Sequence, residues 1–121
     1  MKQYNKLLVW KRAIEFVQLV YTFSKKFSKD ETYGITSQFR RAAVSVAANI
    51  AEWRGKATDR DRDFLRFLYI AQGSLNESQS YIELITSLHF LNESEVLSLE
   101  RKRGEVGYLL FRLIRKIEGK K

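Results

Sequence analysis

The chain has 121 residues, with 22 Lys and Arg against 14 Asp and Glu, for a net charge of +8. It contains no Cys, no Pro and a single His, which excludes a disulfide framework, thiolate metal sites and two-histidine metal sites. No apolar run approaches the ~18 residues of a membrane span, and no signal-peptide pattern opens the chain, so one cytoplasmic domain over residues 1–121 is expected.

Sparse Gly and absent Pro predict long helices with short links. The first helix is expected over residues 7–27. Leu7, Trp10, Ile14, Val17 and Tyr21 share one face, widened by Ala13, Phe16, Val20, Phe23 and Phe27. A polar link then ends at Gly34.

The second helix, 35–54, is the segment around which the others are organised. Residues 42–51 carry no charge, Gly or Pro and are rich in Ala, the best helix former. Gln38, Arg41, Ser45, Asn49 and Glu52 fall within roughly 80° of arc at helical spacing. The rest of the circumference is mostly Ala, Val, Ile, Phe and Trp. A helix with so narrow a polar seam is expected to be enclosed on most sides. The seam is either a strip of solvated side chains or a polar network that specifies packing between helices or subunits. In the network reading, Arg41 pairs with a carboxylate such as Glu52 or Glu77.

Thr58 followed by Asp61 has the spacing of an N-cap with an acid at N3, and predicts a third helix over 60–89. Its core stripe is Phe64, Phe67, Leu68, Ala71, Leu75, Ser78, Ile82 and Ile85. Gly73 inside it suggests a close approach by the Ala-rich second helix. Asn92, with Glu95 at N3, predicts the cap of a fourth helix over 93–118. Its apolar seam is Val96, Leu99, Val106, Leu110, Leu113 and Ile117. Four such helices with short links predict an all-α fold, an antiparallel up-down-up-down four-helix bundle.

Catalytic chemistry finds no foothold. His89, the one His, stands beside Phe90 at a helix end and reads as a capping or packing residue. Asp59, Asp61 and Asp63 alternate with Arg60 and Arg62 and lack the Gly and bidentate Glu of a Ca²⁺ loop. Glu52, Glu77 and Glu83 lack the Glu-x-x-His motif of a bundle metal site. No Gly-rich phosphate loop is present. No catalytic, cofactor-binding or metal residue is therefore assigned, and no enzyme or small-molecule substrate is expected.

The basic side chains remain. A basic balance favours polyanionic partners, nucleic acid first. The candidates for phosphate contact are Lys11, Arg12, Lys25, Lys26, Arg40, Arg54, Lys56, Arg112, Arg115 and Lys116, with Lys2, Lys6, Lys29, Arg60, Arg62, Arg66, Arg101, Lys102, Arg103, Lys120 and Lys121 as further positions. Solvated helix faces account for any one of them taken singly.

Three motifs, read together, carry a resemblance. They are Leu8-Val9-Trp10-Lys11-Arg12-Ala13, then Tyr33-Gly34-Ile35-Thr36-Ser37-Gln38-Phe39-Arg40-Arg41-Ala42-Ala43 continuing to Ser45 and Asn49-Ile50-Ala51-Glu52, then Phe64-Leu65-Arg66-Phe67-Leu68-Tyr69-Ile70-Ala71-Gln72-Gly73-Ser74-Leu75-Asn76-Glu77. Together they span most of the chain. In this order the chain resembles the small bacterial four-helix-bundle proteins named for intervening sequences of 23S ribosomal RNA, the S23-type family. The resemblance implies a homo-oligomeric ring, a pentamer, and a link to ribosomal RNA that rests largely on where the genes lie. It is similar in fold, too, to accessory proteins of diversity-generating retroelements, basic rings that partner a reverse transcriptase and nucleic acid. It implies no catalytic residues. Two positions depart from the family pattern. Trp53 follows Asn-Ile-Ala-Glu where Gly is usual, and Ala47-Ala48 stands where Pro often precedes the Asn. The expected function is an RNA-binding, non-enzymatic homo-oligomer. The alternative is an oligomeric scaffold with a protein partner, such as a reverse transcriptase, whose charge serves solubility.

Overall fold

The computed structural model describes residues 3–56 and 61–119. Among these residues the chain forms four α-helices and no strand: α1, Gln3–Ser24; α2, Ile35–Lys56; α3, Leu65–Ser87; and α4, Glu93–Glu118. They pack in an antiparallel up-down-up-down bundle. Contacts between opposite helix ends fix the directions. Arg54 of α2 lies over Trp10 of α1, Arg40 of α2 bonds Ser24 of α1, and Tyr69 of α3 donates to Glu118 of α4. Each helix contacts its two neighbours around the bundle.

The core line of α1 is Val9, Ala13, Phe16 and Val20, all essentially inaccessible to water. The face expected to lead, with Trp10, Ile14 and Val17, is partly buried and flanks that line, and Tyr21 is exposed. The apolar arc is wide enough to hold both rows, and packing turns the row of smaller side chains inward. The helix ends at Ser24 rather than Phe27. The Lys26 and Phe27 N–H groups bond Phe23 and Ser24 carbonyls at 3.1 Å in tight turns. Phe27 stays buried through its contact with Phe90, at 5.3 Å between ring centroids. A 3-10 turn over Lys29–Glu31 follows, capped by the Ser28 hydroxyl, which accepts from the Asp30 N–H.

Helix α2 runs unbroken to Lys56 and places Trp53 fully inside the core, with the Lys6 ammonium 5.3 Å from its ring centre. Ala47 and Ala48 continue the helix. Enclosure by neighbours is incomplete within one chain. Phe39, Ala43, Val46, Ile50 and Trp53 are buried, whereas Val44, Ala48 and Ala51 face out.

The expected cap at Thr58, with Asp59 and Arg60, lies outside the described residues. The third helix begins at Leu65, not residue 60, after a 3-10 turn over Asp61–Phe64, and its first turn carries no acid. It ends at Ser87 with a left-handed His89, φ 59°, which resolves that residue as a helix terminator. The Phe90 N–H bonds the Ile85 carbonyl at 3.2 Å and the His89 N–H bonds that of Thr86 at 3.1 Å, a Schellman motif. Gly73 faces outward, and a Cβ there would meet nothing within 4 Å. The close approach expected of it occurs instead at Gly107 of α4, against Leu75 of α3.

Helix α4 starts with the predicted capping box. The Glu95 N–H donates to Asn92 Oδ1 and the Asn92 N–H to Glu95 Oε1, both at 2.9 Å. Lys26 pairs with the same Glu95 carboxylate, which joins the first link to the start of α4. Gly119 closes the helix at φ 78°.

Candidate nucleic-acid interface

The antiparallel topology sorts the cations by bundle end. One end holds the start of α1, the ends of α2 and α4, and the start of α3. Here α2 supplies Arg54 and Lys56, α4 supplies Arg112, Arg115 and Lys116, and α3 contributes Arg66 after Arg62 of the preceding turn. Lys6 and Lys11 come from the first turns of α1. The acids with described side chains at this end are Glu52, Asp63 and Glu118. At the opposite end, Lys25, Lys26 and Arg40 stand among Asp30, Glu31, Glu83, Glu93 and Glu95. A 22-residue helix separates the ends by about 33 Å. That is several Debye lengths at physiological salt, so the two ends act as independent fields.

Several candidates are held by neighbours. Arg12 pairs with Glu15 at 2.9 Å and Glu105 at 3.0 Å, and Lys26 pairs with Glu95. Arg40 Nε donates to Ser24 Oγ at 2.8 Å, and its guanidinium lies 4.5 Å from the Tyr21 ring centre. Lys25 is exposed but sits at the mixed end. The structure thus places Arg54, Lys56, Arg112, Arg115 and Lys116, with Lys11, toward one end of the bundle, and Lys25, Lys26 and Arg40 at the other. The cations in the last turns of α2 and α4 also complement the helix dipoles there.

Aromatic rings run through this basic end. Arg54 lies 5.5 Å from the Trp10 ring centre and Arg66 4.7 Å from that of Phe67. On α4, Arg112 lies 5.7 Å from Tyr108, whose hydroxyl accepts from Arg112 Nη1 at 3.1 Å, and Arg115 lies 5.5 Å from Phe111. Tyr108 and Phe111 are 59% and 50% exposed. Tyr69 donates to Glu118, and that bond holds its phenol above the ordinary pKa. The sequence reading did not single out Tyr108 and Phe111. The available signal was their position: both fall opposite the Val106–Leu110–Leu113 seam, interleaved with Arg112 and Arg115.

The polar seam of α2 divides. Ser45 and Ser74 of α3 share a hydroxyl hydrogen bond of 2.7 Å, and Asn49 Nδ2 donates to the Ser45 carbonyl at 2.9 Å and hydroxyl at 3.2 Å. Gln38, Arg41 and Glu52 are exposed. Glu52 stands 3.7 Å from Lys56, and Glu77 accepts from Tyr81 at 3.2 Å. Arg41 forms no ion pair within the chain among the described residues, so neither expected carboxylate partner is supplied by the chain itself. Among the described residues no group of three or more His, Asp or Glu side chains could hold a metal ion, and no helix is long and apolar enough to cross a membrane.

The family model described as 23S rRNA-intervening sequence protein matches residues 5–112. No curated protein matches the chain. Among solved structures, a protein of unknown function from the S23 ribosomal protein family of Bacteroides thetaiotaomicron superposes with a TM-score of 0.81 at 22% identity, over 92% of this chain and 98% of that one. That likeness is one of fold, and with the sequence match it places the chain in a family: the protein belongs to the 23S rRNA-intervening sequence proteins.

Proposed function

We propose that the protein is a non-enzymatic, self-associating basic bundle that binds RNA through the end where α2 and α4 terminate. The observation that carries this reading is that Arg54 and Lys56 of α2 and Arg112, Arg115 and Lys116 of α4 all lie toward the same end of the bundle. Contacts with phosphate supply affinity without reading sequence, and the guanidinium of exposed Arg112 suits bidentate phosphate binding. The family name makes ribosomal RNA the first probe, and an RNA partner goes with a cytoplasmic setting.

Self-association is supported by the outer faces of α2 and α3. Val44, Ile70 and Leu84 are 41%, 48% and 45% exposed, beside exposed Ala48 and Ala51 and an Arg41 that forms no ion pair among the described residues. The ring, taken as a pentamer from the family resemblance, uses this face and the seam at Gln38, Arg41 and Glu52. Light scattering of Val44→Glu tests it: a smaller species than wild type is expected, and a wild-type protein that is already monomeric removes the ring.

The RNA reading is tested by Arg112→Glu with Arg115→Glu, against a control pair, Lys25→Glu with Lys29→Glu, at the opposite end. The first pair is expected to lower affinity for a ribosomal RNA fragment more than tenfold and to flatten the salt dependence, because each phosphate contact contributes about 0.7 to 0.9 to the slope. The control pair is expected to do little. Equal losses from both pairs mean bulk charge, and no loss from either moves the search to a protein partner, the scaffold reading.

A further inference from the structure

We propose that the RNA bound at this end is unpaired, and that Tyr108 and Phe111 are platforms on which its bases stack. This inference rests on the RNA-binding reading above and names its substrate class. Tyr108, Phe111, Arg112 and Arg115 all lie on the outward side of α4, away from the buried Val106, Leu110 and Leu113. Residues three apart on a helix have Cβ atoms about 5–6 Å from each other, so the two rings look out on one strip of solvent. Both are at least half exposed.

Each ring has a cation beside it, four residues on. The Arg112 guanidinium lies 5.7 Å from the Tyr108 ring centre and Arg115 lies 5.5 Å from that of Phe111. The Arg112 guanidinium stands at the hydroxyl rim of Tyr108, where its Nη1 donates to the hydroxyl, so it supplies charge beside the ring and leaves the exposed ring face to a base. The same guanidiniums are near enough to reach the phosphates flanking that base. In a duplex the base faces are covered by their neighbours, and only phosphates and groove edges remain to be contacted. Exposed rings set among phosphate-binding cations therefore gain from unpaired bases and gain little from a duplex. Basic side chains alone would bind either form.

The experiment compares a short uridine RNA with an RNA duplex carrying the same number of phosphates, by fluorescence anisotropy over a salt series, using the full chain. The wild-type protein is expected to prefer the unpaired RNA. Tyr108→Ala with Phe111→Ala is expected to weaken unpaired-RNA binding, by about 5- to 150-fold for each stacked base lost, and to leave duplex affinity and salt slope as they were. Tyr108→Phe keeps a ring and is expected to retain binding. Both rings are exposed, so circular dichroism and light scattering are expected to match wild type. A variant that changes the oligomeric state would assign the rings to a subunit contact and overturn the proposal.

Equal affinity for both RNA forms, with a loss on Arg112→Glu and Arg115→Glu, overturns the stacking inference and leaves the RNA reading standing. Binding to neither form overturns the RNA reading, and this inference with it.

Discussion

Gly107 on α4 lies directly against Leu75 on α3: a Cβ on Gly107 would stand 3.3 Å from Leu75 Cδ2. Gly73 on α3 and Gly104 on α4 have no such neighbour, and a Cβ on either would meet nothing within 4 Å. The three glycines are equivalent in helix propensity and differ in what surrounds them. Gly73→Ala and Gly104→Ala are each expected to stabilise the chain by about 0.5–1 kcal/mol, the helix-interior cost of Gly. Gly107→Ala has the same propensity gain offset by compression of Leu75, and is expected to gain less or to destabilise. Denaturant melts of the three variants check the ranking. Gly73 also faces the surface that carries Ile70 and Leu84, so Gly73→Ala serves as a second probe of assembly by light scattering.

His89 terminates α3 in a left-handed conformation that costs a side-chain-bearing residue roughly 1–2 kcal/mol. His89 is exposed and its work in the Schellman motif is done by its backbone. His89→Gly is therefore expected to raise stability by about 1 kcal/mol, net of the extra freedom Gly brings to the unfolded chain. Thermal unfolding should show a rise of a few degrees. An unchanged or lowered midpoint would mean that the imidazole itself makes a contact worth as much as the strain.

Lys102 ties α4 to α1. Its Nζ lies 2.8 Å from both Glu15 Oε1 and Glu105 Oε1, and Arg12 closes the group against the same two acids. The hydrogen bond from Lys102 leads the effects that hold the Glu15 carboxyl below its ordinary value of 4.5. Hydrogen bonds to Glu105 and Glu15 hold Lys102 above 10.5. A depressed carboxylate contributes stability fully above its ordinary pKa and loses it as pH falls through the folded value. A raised lysine contributes fully below 10.5 and loses it as pH rises beyond. The tie is thus intact between about pH 4.5 and 10.5. Because Glu15 and Glu105 remain partly exposed, Lys102→Met is expected to cost only ~0.5–1 kcal/mol at pH 7. Melts of both proteins across pH should show that difference shrinking below about pH 4. A difference unchanged in acid would assign the effect to packing of the Lys102 stem.

Much of the fold was legible because it depends on local pattern. The Asn92–Glu95 box and the 3.6-residue period of α2 to α4 are written in consecutive residues, and both appear in the structure, with α3 starting at Leu65 rather than at residue 60. What pattern leaves open is rotation and register. Val9 and Trp10 both lie on the apolar arc of α1, and the choice of Val9 as the centre is made by the packing of α2 and α4. Likewise Gly73 and Gly107 read alike along the chain, and only the register of α3 against α4 separates them. The candidate interface shows the same limit. Arg54 and Arg112 are visibly basic in sequence, but their shared end of the bundle follows from topology, as does the separation of Lys25 and Arg40. Single exposed aromatics such as Tyr108 carry no signal by themselves until the cations around them are placed.

Trp53 joins the core to the basic end, and its substitution tests that coupling. The ring is fully buried, Lys6 lies 5.3 Å from its centre, and the next residue, Arg54, lies over Trp10. Here Trp53→Gly removes the largest side chain of the core and puts Gly inside the last turns of α2. Truncating a buried Trp costs about 3–5 kcal/mol, and Gly adds roughly 1 kcal/mol. A loss of that size in denaturant melts is expected, whereas a loss below about 1 kcal/mol would mean that α1 and α3 collapse into the space. Arg54 and Lys56 sit beyond this anchor, so fraying there should loosen their placement and weaken RNA binding even where the rest of the bundle stays folded. Trp53→Phe keeps most of the packing and is expected to retain both stability and binding more fully than Trp53→Gly. If Trp53→Gly remains folded at the assay temperature and binds RNA as wild type does, the end of α2 is not part of the contact, and the interface contracts to α4.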